Sequence, residues 1–189
     1  MYAATNSILG RSIVITVVLV YPQIGGNTGA VIRLAANLGF VLHLVEPFGF
    51  ELSESRVKRA GLDYRELADV RQHADWAAAA HATTGGTRFA FTAHADRQLH
   101  EIDFGESDVL VFGCESDGLS DAIVASCEPV RIPMMPGNRS INLANAVAIA
   151  AYEAWRQHGF PGACTAIDNQ PLPAESFIPS GTRTGRAQS

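Results

Sequence analysis

The chain reads as an α/β protein with a mainly parallel sheet and helices on both faces, on two observations. Residues 12–21, SIVITVVLVY, are almost continuously apolar and β-branched, which is the signature of a strand buried on both sides. Strand-like and helix-like segments then alternate with short connections, the pattern of a parallel sheet joined by crossover helices.

Pro22 to Gly26 breaks the first strand. Asn27 or Thr28 can cap a helix in which Val31, Leu34, Ala35 and Leu38 follow the i, i+3, i+4, i+7 spacing, and Gly39 ends it. Phe40–Glu46 is a second strand, Pro47 and Gly49 mark a loop, and Ser53 caps a short helix closed by Gly61. Asp75–Ala82 is an alanine-rich helix and Arg88–Thr92 a strand. Asp108–Gly113 is a central strand, Leu119–Ser126 a short helix, and Pro129–Met134 a strand. Asn142–Gln157 reads as a long helix capped by Ser140 and stopped before Gly159 and Pro161. These elements form one domain over residues 12–161. Residues 1–11 read as a polar extension. Residues 162–189, rich in Pro, Ser, Gly and Thr, read as a disordered tail.

At 189 residues, 47% of them hydrophobic, the chain can bury a core without disulfides or a metal. Cys114, Cys127 and Cys164 are odd in number and far apart, which points to a reducing compartment and away from a zinc site. The six histidines show no HExxH or HxH spacing, so no metal is expected. The apolar run Ile13–Tyr21 is about half a bilayer span and lacks a basic leader or a small-residue cleavage site. Neither a membrane segment nor a signal peptide is expected, and the cytoplasm is the default. The net charge of −5 neither supports nor excludes an RNA partner. Arg56, Lys58, Arg59, Arg65 and Arg71 cluster, but Glu54, Asp63, Glu66 and Asp69 are interleaved with them, which suits a salt-bridged face equally well.

Three segments carry the chemistry. The glycines at 25, 26 and 29 fit neither GxGxxG nor a P-loop, and leave a glycine-rich turn feeding a helix whose Arg33 lies off the apolar stripe. A buried strand ends in Phe112-Gly113, followed by a turn with Glu115 and Gly118, where glycine lets a ligand approach backbone amides. Finally, Pro133 and Pro136-Gly137 hold a loop, Arg139-Ser140 precedes a helix, and Asn142 and Asn145 lie at its start. That arrangement suits helix capping and an adenosine pocket alike.

In this order and spacing the segments resemble the signature motifs of the SPOUT RNA methyltransferases, above all the short tRNA 2′-O-methyltransferases of the TrmL (YibK) type. The pattern N-x-G-x-x-x-R falls on Asn27, Gly29 and Arg33, and F-G-x-E-x-x-G-L on Phe112, Gly113, Glu115, Gly118 and Leu119. R-S-x-N-L-S-N-A-V falls on Arg139, Ser140, Asn142, Leu143, Asn145, Ala146 and Val147, with Ala144 in place of serine. Cys114 and Asp117 stand where relatives often carry Pro and Arg, and the change at 117 removes a positive charge. Glu46-Pro47, the stretch from Arg59 to Tyr64 and that from Tyr152 to Gln157 match as well.

The resemblance implies a C-terminal trefoil knot and S-adenosylmethionine as cofactor. Its binding residues would be Phe91, Thr92, Gly113, Gly118, Leu119, Ile132, Ser140, Asn142 and Leu143. Arg33 would be the catalytic residue, with Asn27, Glu115 and Asn145 holding it and the loops. Arg139 and Arg33 would contact RNA, without a metal. A homodimer is implied through the first and last helices, with Tyr152 on the alanine-rich face of 144–154. The implied reaction is methylation of the ribose 2′-OH of the wobble cytidine or uridine in the anticodon stem-loop of tRNA. Alternatives are another RNA site, in rRNA or elsewhere in tRNA, and a non-catalytic RNA-binding dimer.

Overall fold

The structure, a computed structural model, describes residues 15–50, 68–138 and 140–163. Its strands are β1 (Thr16–Val20), β2 (Val41–Val45), β3 (Val70–His73), β4 (Arg88–Phe91), β5 (Val109–Phe112) and β6 (Glu128–Val130). They form one sheet in the order β3-β2-β1-β5-β4-β6, and every neighbouring pair is parallel. Among the described residues, four α-helices connect or follow them: α1 (Gly25–Leu38), α2 (Trp76–Ala82), α3 (Asp121–Val124) and α4 (Leu143–Gln157).

Alternation along β1 builds two cores. Val17 and Leu19 face Val31, Ile32 and Ala35 of α1 and Val147, Ala150 and Ala151 of α4. Val18 and Val20 face Ala79 of α2 and Ile123 of α3. Helices therefore cover both faces, as the sequence predicts, and β5 and the part of β1 after Thr16 are apolar because neither side meets water.

Several boundaries differ from expectation. Helix α1 starts at Gly25 with Ile24 as its N-cap and no local side-chain cap, so Asn27 and Thr28 lie inside its first turn rather than before it. Asn142, not Ser140, caps α4, accepting from Ala144 N at 3.0 Å and Asn145 N at 3.3 Å. Helix α3 is confined to Asp121–Val124, and β6 ends at Val130, before the expected Met134. Strand β3 has no counterpart in the sequence reading. Val70-Arg71-Gln72-His73 is a sheet edge with a single apolar residue, so it gives no hydrophobic signal. Other expectations hold: Gly39 caps α1 in the left-handed region at φ 74°, and the alanine-rich helix forms as α2, with Asp75 accepting from Ala78 N at 2.8 Å as its N-cap. The helix expected between Ser53 and Gly61, the basic cluster apart from Arg71, the polar extension and the tail beyond residue 163 lie outside the described residues. Arg71 itself is ion-paired with Asp69 at 2.7 Å.

The alanine face of α4 turns inward: Ala150, Ala151 and Ala154 are buried against the sheet and α1, while Ile149 and Tyr152 are exposed. The expected dimer surface is thus split, with its alanines used inside the chain.

Candidate active site

In a parallel sheet the loops after the strands share one end, and ligands gather there where the strand order reverses. Here that reversal falls between β1 and β5, which are neighbours although three strands separate them in sequence. The loops that follow them are therefore brought together. Residues 21–24 lead into α1, and residues 113–118 carry Glu115.

The second loop is shaped by Gly113. A Cβ at this position would lie 2.0 Å from Gly118 C and 2.3 Å from Leu119 N, so only glycine admits the return of the chain. Cys114 and Gly118 close the loop with paired backbone bonds of 3.2 and 3.0 Å. The Cβ side of Gly113 is thus filled by the chain's own backbone. We expect Gly113→Ala to destabilise the fold by at least about 3 kcal/mol in urea denaturation, because backbone and not a movable side chain blocks the added carbon.

The loop aims Glu115 at the start of α1. Its Oε2 accepts from Gln23 N at 2.8 Å, and its Oε1 accepts from Ile24 N at 3.2 Å and from Asn27 Nδ2 at 2.8 Å. A carboxylate some ninety residues away along the chain thus supplies the cap that α1 lacks locally. Asn27 Oδ1 accepts from Asn142 Nδ2 at 3.0 Å, and Asn142 Oδ1 caps α4. The relay has one polarity. An ionised carboxylate can only accept, the helix N–H groups can only donate, and both amides are oriented between these ends. Burial pushes the Glu115 carboxyl up, but the hydrogen bonds from Asn27, Gln23 and Ile24 outweigh it and hold it below the ordinary glutamate value.

One residue from each of the three motifs is therefore in this relay: Asn27, Glu115 and Asn142. Arg33 is exposed on α1 and Asn145 exposed in the first turn of α4, the two helices that the relay ties together and that pack on each other. Thr92 N bonds Val130 O at 2.9 Å, and the Phe91 ring stacks on Phe112 at 4.6 Å, so both hold β4 in the sheet. Leu119 and Ile132 are half-buried and Leu143 is buried. Leu119 joins the α2/α3 core, whereas Ile132 and Leu143 join the α1/α4 core, so the two leucines flank the sheet from opposite faces. Gly118 adopts φ 70°, and Ser140 is exposed before α4. Tyr152 is 52% exposed and meets Trp155 and Phe160 edge-on or tilted. Arg139 lies outside the described residues. Asp117 is exposed and accepts from Ser116 Oγ at 2.6 Å.

A cavity of about 500 Å³ opens between residues 93–98 and the loop 131–138. Of the residues expected to bind cofactor, only Ile132 lines it. The sequence reading did not single out His94, Gln98 and Arg131 of its wall, which stand in no motif, or the Gln23 and Ile24 amides, which have no side-chain signal. Among the described residues no group of three or more His, Cys, Asp and Glu side chains converges, and no helix is long and apolar enough to cross a membrane.

In this parallel sheet with helices on both faces, the polar relay joins residues of all three motifs at the starts of two helices at the carboxyl end. Residues 14–152 match the SpoU rRNA Methylase family, and the chain belongs to that family. The relatives it resembles are short enzymes of one kind. The tRNA (cytidine(34)-2′-O)-methyltransferase of Burkholderia pseudomallei (strain 1106a) is 52% identical over 151 residues, covering 77% of this chain and 97% of that one. The enzyme of the same name from Escherichia coli (strain K12) is 43% identical over 152 residues, covering 79% and 97%. Among solved structures, one described as giving structural insights into the 2-OH methylation of C/U34 on tRNA superposes with a TM-score of 0.74 at 46% identity, covering 77% of this chain and 97% of that one. The SpoU methyltransferase AviRb from Streptomyces viridochromogenes, in complex with AdoMet, has a TM-score of 0.68 at 27% identity, covering 84% and 63%.

Proposed function

We propose that this chain transfers the methyl group of S-adenosylmethionine to the ribose 2′-hydroxyl of the wobble nucleotide, cytidine or uridine, of tRNA. The observation that carries the reading is the Glu115–Asn27–Asn142 relay, in which all three motifs take part in one hydrogen-bonded unit. The names of the relatives supply the tRNA substrate, and family membership supports RNA methylation.

The residues present fit S-adenosylmethionine. Half-buried Ile132 and buried Leu143, which belong to the same core, offer apolar surface for an adenosine, and Ser140 lies exposed three residues before Leu143. When bound, the cofactor supplies an activated methyl on a sulfonium. A ribose 2′-hydroxyl is a poor nucleophile and must be oriented. The Arg33 guanidinium acts as a positioning cation that holds the hydroxyl and an adjacent phosphate and stabilises the developing alkoxide. Asn27, Glu115 and Asn142 fix α1 against α4, and so set where Arg33 and Asn145 stand. Arg139, immediately before Ser140, contacts RNA.

The C-terminal segment forms a trefoil knot in this reading. It is supported by the placement of β4 between β5 and β6, and by the backbone bonds of Arg131 to Arg97 and Leu99, at 2.9 Å each, which lay the chain after β6 across the 92–99 segment. A homodimer through α1 and α4 is supported by the exposure of Ile24, Ile149 and Tyr152. The protein acts in the cytoplasm, where tRNA is. Incubation with methyl-labelled S-adenosylmethionine and unmodified tRNA transcripts tests the reading: label enters tRNA if it holds. Calorimetric binding of the cofactor without transfer to any RNA would favour a non-catalytic RNA-binding dimer.

A further inference from the structure

Arg131 and His94 share the wall of the cavity between residues 93–98 and the loop 131–138. Acidic residues outnumber basic ones by 19 to 14 in this chain, yet no Asp or Glu lines this wall. Neither Arg131 nor His94 has a side-chain hydrogen bond or ion pair among the described residues, whereas the neighbouring Arg97 is held by Glu128 at 2.8 Å. Arg131 is also anchored at the backbone: its N donates to Arg97 O and its carbonyl accepts from Leu99 N, both at 2.9 Å. The guanidinium is exposed on a fixed stem, beside Met135 at 76% exposure.

From this we infer that the cavity is an RNA subsite, in which Arg131 and His94 hold a backbone phosphate of the tRNA and Met135 offers an apolar surface to a base. The inference rests on the tRNA reading above. A fixed, unpaired cation in an acid-free wall suits an anion, and arginine suits the forked geometry of phosphate. The cofactor's own carboxylate would satisfy the same chemistry. RNA is favoured because this wall lies by β4 and the edge strand β6, away from the β1–β5 reversal where the relay gathers the three motifs. The volume of about 500 Å³ suits a nucleotide rather than a stem.

The test is binding of an unmodified tRNA transcript to the full chain over a range of salt concentrations, with cofactor binding followed by calorimetry. Arg131→Ala is expected to weaken RNA binding about tenfold and to lower the slope of log affinity against log salt by roughly one, with cofactor affinity unchanged. Arg131→Lys keeps the slope and recovers part of the affinity. If Arg131→Ala lowers the melting midpoint, His94→Ala carries the same test. An unchanged RNA affinity and salt slope would overturn the inference alone, as would an equal loss of cofactor binding, which would give the cavity to the cofactor. Absence of RNA binding by the wild-type chain would instead overturn the tRNA reading and this inference with it.

Discussion

Arg33→Ala is expected to lower methyl transfer to tRNA by at least about a hundredfold while leaving S-adenosylmethionine affinity within experimental error. Arg33 lies on the exposed side of α1, and Val31, Ile32 and Ala35 on the buried side, so its truncation removes no core packing. What is lost is the charge that orients the hydroxyl and meets the alkoxide, an interaction made most strongly in the transition state. Arg33→Lys keeps the charge but not the fork, and should recover only part of the rate. Single-turnover rates at saturating cofactor and tRNA, set beside calorimetric cofactor binding, distinguish this role from simple binding. A parallel loss of cofactor affinity would contradict it.

Glu115→Gln is expected to cost about 1–3 kcal/mol of stability, or roughly 2–4 °C in melting midpoint for each kcal/mol, and to slow turnover about tenfold or more. Both carboxylate oxygens accept, from three donors in all. An amide in their place turns an NH2 group toward at least one N–H, and Asn27 cannot flip without setting its own NH2 against that of Asn142. Turnover falls because Arg33 rides on the same helix. The pH dependence follows from the direction of the Glu115 shift. Its folded value lies below its unfolded value of about 4.5, so the contribution is complete above that pH and is lost as the pH falls through the folded value. The difference in melting midpoint between wild type and Glu115→Gln should therefore shrink on acidification below about pH 4.5. A difference independent of pH would show that the carboxylate charge is not what the relay uses.

Much of this was legible in the sequence, and the failures have physical causes. The apolar β-branched run around Val17–Val20 and the spacing of Val31, Leu34, Ala35 and Leu38 reveal buried elements because burial is written in residue type, although Leu34 and Leu38 are only half-buried and Ile32, outside that stripe, is buried. Strand β3 was invisible because edge strands need no apolar pattern, and the start of α1 was misplaced because its cap comes from Glu115 and not from a neighbour. The motifs marked Asn27, Glu115 and Asn142 as important but not as bonded to one another. That link exists only because β1 and β5 are adjacent in the sheet. At Gly113 the sequence marks the glycine but not the close approach of Gly118 and Leu119 that excludes any Cβ there. Arg131 and His94 belong to no local pattern, and only the sheet brings the residue after β6 against the loop after β4.

The measurement that bears most directly on the central claim is nucleoside mapping of tRNA after incubation with labelled S-adenosylmethionine, for wild type and Arg33→Ala side by side. The account predicts label as 2′-O-methylcytidine or 2′-O-methyluridine at the wobble position with wild type, and its loss with Arg33→Ala. Label on a base, or at any other nucleotide, would contradict it.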